Sequence, residues 1–239
     1  MKKIILCLLI LLTTHSLVAQ KIILHRSVGG NLTYELNSID SITFVPFVCG
    51  VSKVNWEDKE YNTALVSSQC WLKENLDVGT MILGVNDQTN NSIVEKYCYN
   101  NDTANCTIYG GLYQWNEAMQ YITTEGKQGI CPTGWHIPTL TEFQILAAEV
   151  GNSGNALKAI GQGSGIGAGT NTSGFSALLA GLRYGGFTNN GYWAYVWSST
   201  ESDAAKSFGG PFLSYNSDNV YLVNDNKEYG FSVRCIKDL

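Results

Sequence analysis

Once the first nineteen residues are set aside, six cysteines remain in the chain: Cys49, Cys70, Cys98, Cys106, Cys131 and Cys235. No other feature restricts the possible folds as much. The leading stretch is set aside because Lys2 and Lys3 precede the apolar run Ile4 to Leu12, and Val18-Ala19-Gln20 offers small residues for cleavage after Ala19. That is the charged, apolar, small-residue order of a secretory signal. Its apolar run falls short of the about 20 residues needed to cross a bilayer, so a protein without a membrane span is expected. A lipid anchor would need cysteine directly after the cut, but Gln20 stands there and Cys7 lies inside the apolar run. Export delivers the six cysteines to an oxidising compartment, where an even number reads as three disulfides. Spacing alone leaves their pairing open. Zinc ligation is the weaker reading, because no C-x-x-C pair exists and only His25 and His136 remain after cleavage.

Cleavage also removes two lysines and no acids, so 15 basic and 20 acidic side chains become 13 and 20, a net charge of −7. A polyanion would be repelled, which argues against nucleic acid as a partner. With 15% charged residues, 11% aromatic residues and 25 glycines, the composition suits a loop-rich domain of short strands. The 220 residues left (239 minus 19) suffice for one sizeable core.

Lys21 to His25, Gly29-Gly30-Asn31 and Leu32 to Leu36 predict a strand, a turn and a strand, with a boundary near Pro46. The expected organisation is therefore a signal over 1–19, a hairpin leader over 20–47 and a main domain over 48–239. Short strands are predicted around Lys53 to Trp56 and Ala64 to Leu72, and a loop over Asn86 to Ser92. A first helix is predicted over Leu112 to Tyr121, where Leu112, Trp115 and Met119 fall at helical spacing. A second follows Thr139: its S/T-x-x-E pattern with Glu142 is a capping box, Phe143, Leu146, Ala147 and Val150 share one face, and Gly151 can close it. The run Gly161 to Gly169 is too rich in glycine for regular structure, and it lacks the strand-then-helix context of a dinucleotide loop. Phe175 to Ile236 reads as short antiparallel strands and turns.

Four stretches, Gln69-Cys-Trp-Leu-Lys-Glu-Asn-Leu76, Tyr109-Gly-Gly-Leu-Tyr-Gln-Trp115, Cys131-Pro-Thr-Gly-Trp-His-Ile-Pro-Thr139 and Gly230-Phe-Ser-Val-Arg-Cys235, occur in this order, with Ser173-Gly-Phe-Ser-Ala177 and Trp197-Ser-Ser-Thr-Glu201 between the last two. Together, over roughly residues 49 to 239, they resemble the Fibrobacter succinogenes major paralogous domain family. The resemblance implies an α+β, C-type-lectin-like fold of two helices and twisted antiparallel strands, and it implies no catalytic activity. It also implies the pairing Cys49 with Cys70, Cys98 with Cys106 and Cys131 with Cys235. The chain departs from the family pattern after Glu201, where Ala205-Lys-Ser-Phe-Gly209 replaces the usual aromatic pair, so a binding surface there would be individual to this protein. Asn37-Ser-Ile-Asp-Ser-Ile-Thr-Phe44 resembles a leader of exported Bacteroidetes proteins.

Aromatic residues crowd the C-terminal third. Tyr192, Trp193, Tyr195, Trp197 and Tyr215, with Glu201 and Asn224 as polar neighbours, are the candidate ligand-binding set, because flat rings suit the apolar face of a sugar. Core packing is the competing use of the same rings. The expected partner is a glycan or another cell-surface macromolecule. A structural cell-envelope protein is the alternative, and an enzyme distantly similar to formylglycine-generating oxidases is the third reading. Oxidase chemistry needs a reactive thiol pair near the C-terminus, where only Cys235 stands. His136 lacks a nucleophile signature and is expected to be a turn residue bonded to backbone. The neighbouring acids Glu57 with Asp58 and Glu201 with Asp203 read as solvated pairs. No cofactor is expected. Asp102, Asp218, Asp225 and Glu228 are candidate calcium ligands without EF-hand spacing.

Overall fold

The structure, a computed structural model, describes residues 21–24, 32–35 and 45–238. The chain divides into two compact units, Met1–Pro46 and Phe47–Leu239. In the first, strands Lys21–Leu24 and Leu32–Glu35 pair antiparallel, Lys21 opposite Glu35 and Leu24 opposite Leu32. The glycine turn expected between them, and the leader-like Asn37 to Phe44, lie outside the described residues.

The second unit is mixed α+β, with four short α-helices and many short, mostly antiparallel strands among the described residues. Its spine is a four-stranded sheet in the order Thr63–Val66, Gln69–Leu72, Ile236–Lys237, Trp135–His136. The single strand expected over Ala64 to Leu72 is thus two, folded back at Ser67, whose φ is +53°. The final strand lies between partners far away in sequence, so the sheet forms only when the ends of the domain meet. Three disulfides hold that closure: Cys49–Cys70, Cys98–Cys106 and Cys131–Cys235, with sequence separations of 21, 8 and 104. This is the set that the resemblance implies, and it is consistent with an extracytoplasmic protein. Among the described residues no helix is long and apolar enough to cross a membrane.

Helix α1 (Thr103–Tyr109) starts at Asp102, whose side chain accepts from the Ala104 N–H, and it is tied by Cys106 to Cys98. Helix α2 is a single turn, Trp115–Ala118, shorter than the helix expected over Leu112 to Tyr121. Leu112 instead bridges to Tyr97 and Tyr113 to Phe231, while Gln120 and Tyr121 take left-handed φ of +51° and +59° that stop the helix. Helix α3 (Leu140–Glu149) carries the complete Thr139–Glu142 capping box and turns Phe143, Leu146 and Ala147 inward. Helix α4 (Gly154–Leu157) follows after Gly151, whose φ is +61°. The glycine run holds one 3-10 turn, Gly165–Gly167.

Two apolar clusters share the interior. One is built on Tyr113, Trp115, Trp197, Phe212 and Phe231, the other on Trp71, Phe143, Phe175 and Leu213. Trp71 stacks on Phe143 at 5.3 Å, which joins the spine to α3. Four buried cations, Lys158, Arg183, Lys227 and Arg234, also bind the interior together. Arg234 donates to Asn75 Oδ1 and to the Phe175 carbonyl and lies over the Phe175 ring. Burial pulls its pKa down to about 9.

Candidate aromatic binding surface

Strands Trp193–Ala194, Phe212–Ser214 and Val220–Tyr221 form a three-stranded antiparallel sheet. Trp193 stands opposite Ser214, Ala194 opposite Leu213 and Phe212 opposite Tyr221. Because side chains alternate across a strand, Ala194, Leu213 and Val220 bury one face in the second cluster. On the other face, Trp193 and Tyr221 end a series of rings that climbs from the core to the surface. Trp197 stacks on Phe231 at 4.1 Å, Phe231 on Tyr195 at 5.1 Å, Tyr195 on Trp193 at 6.0 Å, and Trp193 meets Tyr221 at 6.0 Å. Exposure rises along the series, from none at Trp197 through partial at Tyr195 and Trp193 to 37% at Tyr221. Beside it, Tyr192, 56% exposed, packs edge-on against Tyr215 at 5.0 Å.

The rings are held by polar contacts as well as by stacking. Asn189 Nδ2 donates to the Tyr195 hydroxyl at 2.8 Å, and the Tyr221 and Ser217 hydroxyls are 3.2 Å apart. A packed, hydrogen-bonded ring loses little freedom when a ligand settles on it, so such a surface is pre-organised.

Of the candidate residues, Trp193 and Tyr195 therefore come together, and Tyr221 joins them, while Tyr192 and Tyr215 pair with each other on the opposite face, where Tyr215 packs on the second cluster. Trp197 does not: it is fully buried, its indole N–H donates to the Tyr113 carbonyl at 2.7 Å, and it serves the core. Glu201 and Asn224 stand on a different sheet, formed by Trp197–Glu201, Lys206–Gly209 and Asn224–Asn226. The Glu201 carboxylate is engaged by Lys227, which also lies over the Trp115 ring, and Asn224 Nδ2 donates to Ser202 Oγ. The four acids considered for calcium are dispersed. Asp102 caps α1, and Asp218 accepts from Ser153 Oγ and the Asn155 N–H at the start of α4. Among the described residues there is no group of three or more His, Cys, Asp or Glu side chains that could hold a metal ion.

His136 bonds to side chains and not, as expected, to backbone. Its Nδ1 lies 2.7 Å from Asp238 Oδ1 and its Nε2 3.0 Å from Glu142 Oε1. Burial disfavours the imidazolium, but the two carboxylates outweigh it and raise the pKa, while Glu142 is lowered despite its own burial because His136 and Thr139 bond it. A raised histidine stabilises the fold below its unfolded value, about 6.5, and that contribution fades as pH climbs through the folded value. A lowered glutamate stabilises above about 4.5, and its share is lost as pH falls through the folded value. His136→Gln is therefore expected to cost about 1 kcal/mol near pH 5 to 6 and less by pH 9, as read from urea unfolding at several pH values. A cost independent of pH would contradict the imidazolium bridge.

Elsewhere a cleft of about 350 Å³ is lined by Trp56, Gly79, Ile93 and Ile130 among others, and sequence reasoning gave no sign of it. Its residues come from segments with no shared motif, brought together by folding alone. No curated protein and no solved structure matches the chain. A family model, the Fibrobacter succinogenes major domain, matches residues 66–237. Its span runs from the last residue of the Thr63–Val66 strand to the final strand and takes in the four buried cations and the whole ring series. The chain belongs to the Fibrobacter succinogenes major domain family.

Proposed function

We infer that the second unit is an extracytoplasmic, C-type-lectin-like binding module that holds a glycan on the surface formed by Trp193, Tyr195 and Tyr221, without catalysing a reaction on it. The observation that carries this reading is the ring series: aromatic side chains anchored in the core and progressively exposed, edged by amides. A pyranose presents an apolar face to such rings and hydroxyls to the amides. The three disulfides support an oxidising compartment. The Cys131–Cys235 bridge leaves Cys235 without the free thiol that oxidase chemistry would need. The lectin-like fold rests on the family resemblance and on the mixed α+β architecture.

Affinity electrophoresis of the processed protein through gels containing polysaccharides tests the reading. At least one polysaccharide is expected to retard it, and Trp193→Ala to weaken that binding by about 2 kcal/mol, roughly thirtyfold. Retardation by none would favour a structural role in the envelope, and retardation that survives Trp193→Ala unchanged would move the site elsewhere.

A further inference from the structure

Resting on the glycan-binding reading, we propose that the ligand is an electrically neutral glycan chain, and that this surface excludes uronic-acid and sulfated chains. The argument comes from where the charges around the rings are placed. Over residues 180–230 the cations are Arg183, Lys206 and Lys227, and the acids are Glu201, Asp203, Asp218, Asp225 and Glu228. Two of the three cations are buried and engaged by acceptors within the fold. Arg183 is buried, donates to the carbonyls of Gly84, Asn86 and Glu228, and pairs with Asp87 at 3.0 Å. Lys227 is buried between Glu201, the Ala204 carbonyl and the Trp115 ring.

A fourth cation, Lys158, lies beneath the strand that carries Tyr215. Its ammonium is consumed by the carbonyls of Gly167, Ser214 and Ser217, and Asp218 acts on it from nearby. Lys206 is exposed, but it belongs to the sheet with Trp197–Glu201 and Asn224–Asn226 and lies in the turn that Asp203 caps.

A carboxylate or sulfate laid on the rings would thus meet no free guanidinium or ammonium of the ring-bearing sheet. The acid that acts on the ring series is Asp225. Asp225, on the sheet that also carries Lys206, is close enough for its charge to raise the pKa of both Tyr195 and Tyr229, after the larger effect of burial on each. The remaining polar equipment is uncharged: Asn189, Asn216 and Asn219 border the rings. Amides and phenols both donate and accept, which matches hydroxyls and not anions. Specificity here comes as much from the lack of a free cation for the wrong ligand as from contacts with the right one.

The test compares matched polymers against the intact processed protein: methyl-esterified with de-esterified homogalacturonan, dextran with dextran sulfate, and xylan with glucuronoxylan. The neutral member of at least one pair is expected to bind about tenfold or more tightly than its anionic form, with affinity nearly unchanged between low and high salt, since hydroxyl and ring contacts are little screened. Lys206→Ala is expected to leave that binding unchanged. Preference for the anionic members, steep weakening by salt and loss on Lys206→Ala would overturn the neutral-ligand inference and leave glycan binding standing. Binding of no member of any pair would overturn both.

Discussion

Replacing Cys131 and Cys235 together by alanine is expected to lower the unfolding free energy by about 4 to 5 kcal/mol, the largest single loss the fold predicts. The bridge closes a span of 104 residues, and in the chain-entropy model the cost of an open loop grows with its length. Its location adds to the effect. Ile236, next to Cys235, pairs with both Trp71 and His136, so the strand that completes the spine depends on the staple for its local concentration. For a domain of this size the loss corresponds to about 10 to 15 °C in Tm. Alanine fits both sites, which are fully buried. Calorimetry of the variant beside Cys98→Ala/Cys106→Ala gives the control, because the separation of only 8 residues predicts a smaller loss, about 2 to 3 kcal/mol. Equal losses would refute the loop-length account.

Lys158→Met is expected to cost about 3 kcal/mol or more. Methionine retains much of the buried stem and removes the ammonium, leaving three carbonyls that converged on it at 2.5 to 2.8 Å. A buried acceptor stripped of its donor loses its solvation without compensation. The carbonyls belong to the glycine run and to the segment Ser214 to Ser217, which otherwise meet through Ser164 N–H donating to the Tyr215 carbonyl. Their approach is too close for side chains: a Cβ on Gly167 would lie 2.4 Å from the Tyr215 oxygen. The variant should therefore melt about 6 to 12 °C lower and be cut faster within residues 161–169 by protease. A melting temperature within about 2 °C of the parent, with unchanged cleavage, would show that the cation does not hold these segments.

Neither consequence can be read from Lys158 in sequence, where it follows Ala156 and Leu157 like any lysine at a helix end. The parts of the fold that were legible are those with local causes. The Thr139–Glu142 box sets the start of α3 because both partners lie within one turn. The helical spacing of Leu112, Trp115 and Met119 misled, because distant partners, Tyr97 and Phe231, draw the preceding residues into bridges. Helix α1 gave no apolar stripe, since Cys106 is its only buried residue, and it depends on a cap and a disulfide.

The candidate site was legible as a neighbourhood and not residue by residue. Trp193, Tyr195 and Trp197 alternate as though along one strand face, yet the chain leaves one sheet at Ala194 and enters another at Trp197. The first ring is therefore partly exposed and the last is buried. Glu201 resembled a sugar-binding carboxylate only while Lys227, 26 residues away, was out of view.

Radical footprinting of the processed protein, with and without a neutral polysaccharide that retards it, tests the surface most directly. Labelling at Trp193 and Tyr221 is expected to fall on binding, while Trp56 in the separate cleft and the buried Trp197 stay unchanged. Protection concentrated at Trp56, with the two surface rings labelled as before, would contradict the account.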